Sequence, residues 1–179
     1  MHLMFCTCPE NDRSQIVAMA GQEADSDDIL VLGIGNPLMG DDGVGIRVVE
    51  MLTSQEIPPN VVVKEAGLPG WGLPSWFEGM STVFLVDAVQ MGQTPGSWRR
   101  LETDELQIIM ENNALSLHQN DLACGLALSQ AMNLLPDNLL VYGIEPANMS
   151  PGDNLSPEVE ASLPELIKNI ILDLEKIKA

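Results

Sequence analysis

The stretch Ile29–Glu50, ILVLGIGNPLMGDDGVGIRVVE, constrains the fold more than any other part of the chain. Ile29-Leu30-Val31-Leu32 is a continuous apolar run, which suits a strand buried on both faces. Gly33, Gly35, Asn36 and Pro37 then interrupt regular structure, since glycine admits positive φ and Asn-Pro initiates turns. Beyond the turn, Val44, Ile46, Val48, Val49 and Leu52 fall mostly at helical spacing, with Asp41, Asp42, Arg47 and Glu50 among the polar positions. The unit is strand–turn–helix, and it delivers two adjacent aspartates to the mouth of the turn. Open α/β sheets bind ligands at the carboxyl ends of their strands, so Asp41-Asp42 is the first place to look for chemistry.

Two ordinary uses compete for these residues. An aspartate at a helix N-cap accepts backbone N–H groups and complements the positive end of the macrodipole, which suits Asp41, but one cap does not need two carboxylates. A dinucleotide fingerprint begins with Gly33-x-Gly35 and fails at the third glycine, where Leu38 stands. Pro37 also lacks an N–H to offer a pyrophosphate, and the two aspartates would repel one.

The rest of the chain repeats the alternation. Pro58-Pro59-Asn60 breaks the first helix from a β-branched strand, Val61–Glu65, and the Gly- and Pro-rich loop Ala66–Gly72 leaves that strand's carboxyl end. A short helix over Leu73–Met80, with Trp76 and Phe77 in the core, leads to a third buried strand, Thr82–Val86, with Asp87 at its end. After the loop Gly92–Gly96, Trp98–Leu101 reads as an extra, more exposed strand, because Arg99-Arg100 is costly in a buried centre. Asp104–Met110 reads as a helical turn. His118 precedes a helix over Asn120–Asn133, packed on the sheet through Leu122, Leu126, Ala127 and Met132. Leu139–Ile144 is the last strand, ended by Glu145-Pro146. The C-terminal helix carries the stripe Leu163, Leu166, Ile167, Ile170, Ile171, Leu174 and Ile177, and Ser162-Leu163-Pro164-Glu165 marks either its start or a kink. Strands alternating with helices give an α/β class, a three-layer α/β/α sandwich on a mainly parallel, doubly wound sheet of about five strands.

Composition narrows the function. At 179 residues the chain is one domain by length, with residues 1–28 a leader of mixed character that ends in the acidic, polar Gln22–Asp28 and is expected to be poorly ordered, and residues 29–179 the domain; Met19 is a second candidate start. Net charge is −18, from 26 acids against 8 bases, so phosphate backbones and anionic membranes are poor partners. Three cysteines, Cys6, Cys8 and Cys124, make no disulfide framework and fit a reducing compartment, and Cys6-x-Cys8 falls short of a closed zinc site. With no apolar run near the ~20 residues of a membrane span, and no signal peptide, a cytoplasmic protein is expected.

Asp42, Asp87 and His118 are distant in sequence but share one structural address: two strand ends and the start of a crossover helix. Two carboxylates ~4 Å apart repel by ~4 kcal/mol at an effective dielectric of 20 and need a proton, a cation or distance. With an imidazole beside them they form a set able to bind a divalent metal with positions left open. Taken singly, Asp87 also reads as a loop cap and His118 as a helix-start residue. No Ser–His or Cys–His pairing offers an alternative nucleophile, and Cys124 sits mid-helix as packing.

Gly33-Ile34-Gly35-Asn36-Pro37-Leu38-Met39-Gly40-Asp41-Asp42-Gly43-Val44-Gly45 resembles the N-terminal signature of the hydrogenase maturation proteases. Val86-Asp87-Ala88, His118-Gln119 and Gly143-Ile144-Glu145-Pro146 match the same family's pattern, from about Asp28 to the C-terminus. The resemblance implies a metal-dependent, aspartyl-type endopeptidase that removes the C-terminal extension of a nickel–iron hydrogenase large-subunit precursor after nickel insertion. It places Asp42, Asp87 and His118 at the family's metal-binding positions, with catalysis at the same residues and the nickel arriving with the substrate. A cytoplasmic monomer whose partner is that precursor is the expectation. Where many members carry an acidic-Gly-Gly-Thr segment, this chain has Glu65-Ala66-Gly67-Leu68-Pro69-Gly70, so Glu65, Gly67, Gly70 and Trp71 become candidate substrate contacts. Trp71 is either tucked into the core, as most tryptophans are, or a contact for a peptide tail. A non-proteolytic assembly chaperone and a Rossmann-like small-molecule binding module are the competing classes.

Overall fold

A computed structural model describes residues 29–102, 105, 116–117 and 121–177. The expected leader 1–28 with Cys6, Cys8 and Met19, most of the expected turn Asp104–Met110, and His118 lie outside the described residues.

The chain runs β1 (Ile29–Ile34), a 3-10 turn (Gly40–Gly43), α1 (Val44–Leu52), β2 (Val61–Gly67), a second 3-10 turn (Gly70–Gly72), α2 (Pro74–Phe77), β3 (Thr82–Gln90), β4 (Trp98–Glu102), β5 (Ser116–Leu117), α3 (Asp121–Ala131), β6 (Asn138–Ile144) and α4 (Pro157–Ile177). The sheet order is β2-β1-β3-β6-β4, parallel except for β4, which pairs antiparallel with β6. The short β5 pairs antiparallel with the end of β3, Val89 opposite Leu117. The strand order reverses direction between β1 and β3, which makes their carboxyl ends the switch point of the sheet.

Residues alternate across the sheet, so each strand feeds two cores. Ile29, Val31, Phe84, Val86, Ala88, Tyr142 and Ile144 pack beneath α1 and α4. Leu30, Leu32, Ile34, Val83, Leu85, Val89 and Val141 pack beneath α2 and α3. The three layers expected from the sequence are these. Edge strand β4 carries Arg99 and Arg100 outward and buries Leu101.

Several boundaries differ from the sequence reading. β1 continues through Gly33 and Ile34 because α1 comes down on its end: a side chain at Gly45 would collide with the carbonyl oxygens of Ile34 and Val86. β3 runs on to Gln90, so Asp87 lies inside the strand, paired with Gly143 of β6, and not at its end. β2 likewise extends to Gly67 and takes in Ala66. The expected helix over Leu73–Met80 is a single turn, in which Phe77 is buried. α3 ends at Ala131, two residues short of the expected end, while the expected start at Asn120 lies outside the described residues; Ala127 and Met132 are exposed, and Leu122, Leu126 and Gly125 make its contact. α4 starts at Pro157 and passes through Pro164, so Ser162 is not its cap; the Ser162 hydroxyl donates back to the Val159 carbonyl at 2.7 Å.

One polar cluster locks α4 to the sheet. The buried Asp173 carboxylate accepts bonds from the Tyr142 hydroxyl (2.8 Å), the Arg100 guanidinium (2.9 Å) and the Lys176 ammonium (2.8 Å), while Arg100 also pairs with Glu102. Burial alone would raise the Asp173 pKa, but the bonds from Lys176, Arg100 and Tyr142 outweigh it and hold the group at about 2. Burial also pushes the Tyr142 phenol upward, so it stays protonated and donates.

Candidate functional site at the β1–β3 switch point

The turn after β1 is closed by its own polar groups. Gly35 N–H donates to the Gly67 carbonyl at 2.8 Å, tying the β1 and β2 loops together. Asn36 N–H donates to Asp42 Oδ2 at 3.0 Å. Leu38 N–H donates to the Asn36 side-chain oxygen at 3.0 Å and Met39 N–H to the Asn36 carbonyl at 3.0 Å. Gly40 N–H reaches the Gly152 carbonyl (2.8 Å), Asp41 N–H the Asn148 carbonyl (2.9 Å) and Asp42 N–H the Met39 carbonyl (3.3 Å). Pro37 has no N–H, so the turn from residue 35 to 42 leaves none aimed outward for a pyrophosphate. The glycine-rich loop therefore does not work as a phosphate cradle.

The two aspartates, alike in sequence, do different jobs. Asp41 is fully buried and caps neither the 3-10 turn nor α1. Its carboxylate accepts four bonds from the distant β6–α4 loop: Ala147 N–H and Asn148 N–H at 2.8 Å each, Ser156 N–H at 2.6 Å and the Ser156 hydroxyl at 2.8 Å. Burial works against ionisation there, yet those four donors together hold the carboxyl below the ordinary carboxylate range. This role was invisible in the sequence.

Asp42, also buried, sits one residue further into the 3-10 turn, which packs against β3. Asp87 is fully buried in β3, on the same side as Val83, Leu85 and Val89, the side covered by α2 and α3. β1 stops pairing with β3 at Gly33 opposite Val86, so Asp87 is the first β3 residue past the β1–β3 pairing. The sheet thus brings the elements bearing Asp42 and Asp87 together at its switch point. Leu117, which immediately precedes His118 in the chain, pairs with Val89, two residues from Asp87. Among the described residues no group of three His, Cys, Asp or Glu side chains gathers as a metal site; the two carboxylates are hard oxygen donors suited to a divalent ion with a third ligand.

The remaining candidates lie along the rim. Glu65 is exposed on edge strand β2, opposite Gly33. Gly67 (φ 61°) and Gly70 (φ 46°) take the left-handed backbone that turns the chain back over α3, and a side chain at either would meet nothing within 4 Å. Trp71, in the second 3-10 turn, is 69% exposed, which settles its position against the core. Leu38 and Leu68 are 68% and 53% exposed, so three large apolar side chains stand on the two loops joined by the Gly35–Gly67 bond. Glu145, at the end of the last strand and in the motif Gly143-Ile144-Glu145-Pro146, is a scaffold residue: buried, it accepts the Met91 and Gln93 N–H groups at 2.7 and 3.0 Å and fixes the loop after β3.

Comparison with known proteins converges on one family. The family model for hydrogenase maturation proteases matches residues 46–173. The hydrogenase expression/formation protein HupD of Rhodobacter capsulatus is 32% identical over 148 residues, covering 82% of this chain and 70% of that protein. The hydrogenase 2 maturation protease of Escherichia coli K12 is 30% identical over 150 residues, covering 83% of this chain and 91% of that protein. Among solved structures, the hydrogenase maturating endopeptidase HybD from E. coli superposes with a TM-score of 0.73 at 25% identity, over 83% of this chain and 93% of that one. A hydrogenase 2 maturation peptidase from a Thaumarchaeota archaeon gives 0.64 at 30% identity, over 82% and 97%.

Proposed function

From the premise that this chain belongs to the hydrogenase maturation protease family, we propose that it is the endopeptidase that trims the C-terminal extension from a nickel–iron hydrogenase large-subunit precursor. In this reading the precursor carries its nickel into the crevice, and Asp42, Asp87 and His118 recognise that ion. The protein acts as a cytoplasmic monomer.

The observation that carries the reading is the placement of two buried carboxylates, Asp42 and Asp87, on contacting elements at the switch point of the sheet. Neighbouring carboxylates out of water repel, and an incoming cation relieves that repulsion. The nickel supplies a Lewis acid for the scissile carbonyl. The chain's own part is to orient that ion through Asp42 and Asp87, to hold the peptide against the rim, and to take a proton from the attacking water at a carboxylate oxygen. The reading is tested by incubating the chain with nickel-loaded precursor and following the precursor's mass.

The apolar rim supplies the grip on the tail. Leu38, Leu68 and Trp71 stand exposed on the loops that follow β1 and β2, where solvent-facing apolar side chains of this size mark contact surfaces. Trp71→Ala is expected to lower kcat/KM for precursor cleavage by roughly tenfold, mostly through KM, the cost of losing one aromatic anchor. Because the side chain is exposed, the melting temperature should barely move. Unchanged cleavage kinetics, or a large fall in melting temperature, would remove Trp71 from the rim.

A further inference from the structure

We propose that Asp41 is a positioning residue that sets the location of the Asp42 carboxylate by holding the β6–α4 loop against the turn after β1. The inference rests on the reading of Asp42 as a substrate-metal ligand for its functional meaning, but its geometry stands independently.

Asp41 and Asp42 are consecutive on one short 3-10 turn, so a shift of one moves the other. The turn packs against β3, and a set of hydrogen bonds ties it to the loop 106 to 115 residues further along. Two backbone bonds from that loop reach the turn, Gly40 N–H to the Gly152 carbonyl and Asp41 N–H to the Asn148 carbonyl, and Gly152 N–H returns one to the Leu38 carbonyl at 2.9 Å. The loop's own shape, in turn, depends on the Asp41 carboxylate, which collects Ala147, Asn148 and Ser156 at a single point. Ser156 is the residue before α4, and its carbonyl accepts Glu160 N–H at 2.9 Å, so the same carboxylate anchors the start of α4. Gly40 (φ 58°) closes the packing: a side chain there would press on the Asn148 carbonyl. The loop thus acts on the site through one buried carboxylate.

Asn36 N–H reports the result, because it donates to Asp42 Oδ2 at 3.0 Å and exchanges slowly only while that carboxylate stays in place. Asp41→Asn puts an NH2 group among donors, which it cannot bond, while keeping the side-chain volume. Hydrogen exchange measured by NMR, on the full chain without metal, should show the Asn36 amide exchanging at least about tenfold faster in Asp41→Asn. Asp173→Ala, which loosens α4 at its other end, is the destabilised control and should leave Asn36 exchange unchanged at a temperature where both variants are folded. Ser156→Ala removes one of the four bonds and should give a smaller change in the same direction, which keeps the test open if Asp41→Asn does not fold. Nickel affinity by calorimetry should then weaken in step with Asn36 protection, and the precursor assay should show KM rising in the same order, because the metal that Asp42 recognises arrives with the substrate. Equal Asn36 protection in wild type, Asp41→Asn and Ser156→Ala overturns the positioning role. Failure of the wild type to bind nickel overturns the metal reading without touching the exchange result.

Discussion

Asp87→Asn is expected to cut precursor cleavage roughly a hundredfold or more while shifting the melting temperature by only a few degrees. The side chain keeps its shape and loses its charge, and a residue that binds a cation needs the charge. Asp87 occupies a fully buried β3 position where Val83, Leu85 and Val89 on the same side are all apolar. A carboxylate in that row is costly to a fold that could have used another valine, so its presence points to a function. Nickel affinity measured on the chain alone should fall alongside cleavage. Retained cleavage in Asp87→Asn would return this residue to the scaffold.

The largest stability effect is expected at the other end of the sheet. Asp173→Ala strips the buried Tyr142 hydroxyl and the half-exposed Arg100 of a partner. Leaving a buried hydroxyl unsatisfied and breaking a part-buried charged contact costs ~3 kcal/mol, which for a domain of this size lowers the melting temperature by roughly 6–12 °C. The wild-type pH profile carries the same signature. The Asp173 pKa lies at about 2 in the fold against an ordinary 3.8, so its contribution is fully present above 3.8 and is lost as pH falls through about 2. That contribution is on the order of 2 kcal/mol, and Asp173→Ala should flatten the acid limb of the profile by about that amount. Identical acid limbs for wild type and variant would contradict it. Precursor cleavage at neutral pH should be preserved, because the cluster lies away from the crevice.

The parallel sheet was legible because its strands carry short apolar runs, and β4 as an exposed strand because Arg99-Arg100 excludes a central position, whereas its antiparallel direction left no sign in the sequence. The strand ends were less so. Asp87 resembles a terminator, yet β3 continues beneath it because β6 still pairs with it through Gly143. The start of α4 was hidden by Pro164, which a helix tolerates when packing compensates; Ser156-Pro157 was the local signal, a polar residue followed by proline in the first turn. The two aspartates of the motif could not be told apart locally. Only the loop that folds back from Ala147–Ser156 separates the scaffold carboxylate from the one left for the site. Trp71 went against the usual burial of tryptophan because the tight turn Gly70–Gly72 projects it outward. The β5 pairing, two residues long, is too short to leave a periodic trace.

The measurement that tests the central claim most directly is the mass of the large-subunit precursor after incubation with the purified chain, run with nickel-loaded and with nickel-free precursor. A mass loss equal to one C-terminal fragment, confined to the nickel-loaded precursor and absent with Asp87→Asn, is the predicted result. An unchanged mass with nickel present would contradict the endopeptidase assignment, and equal trimming of both precursors would contradict recognition of the metal.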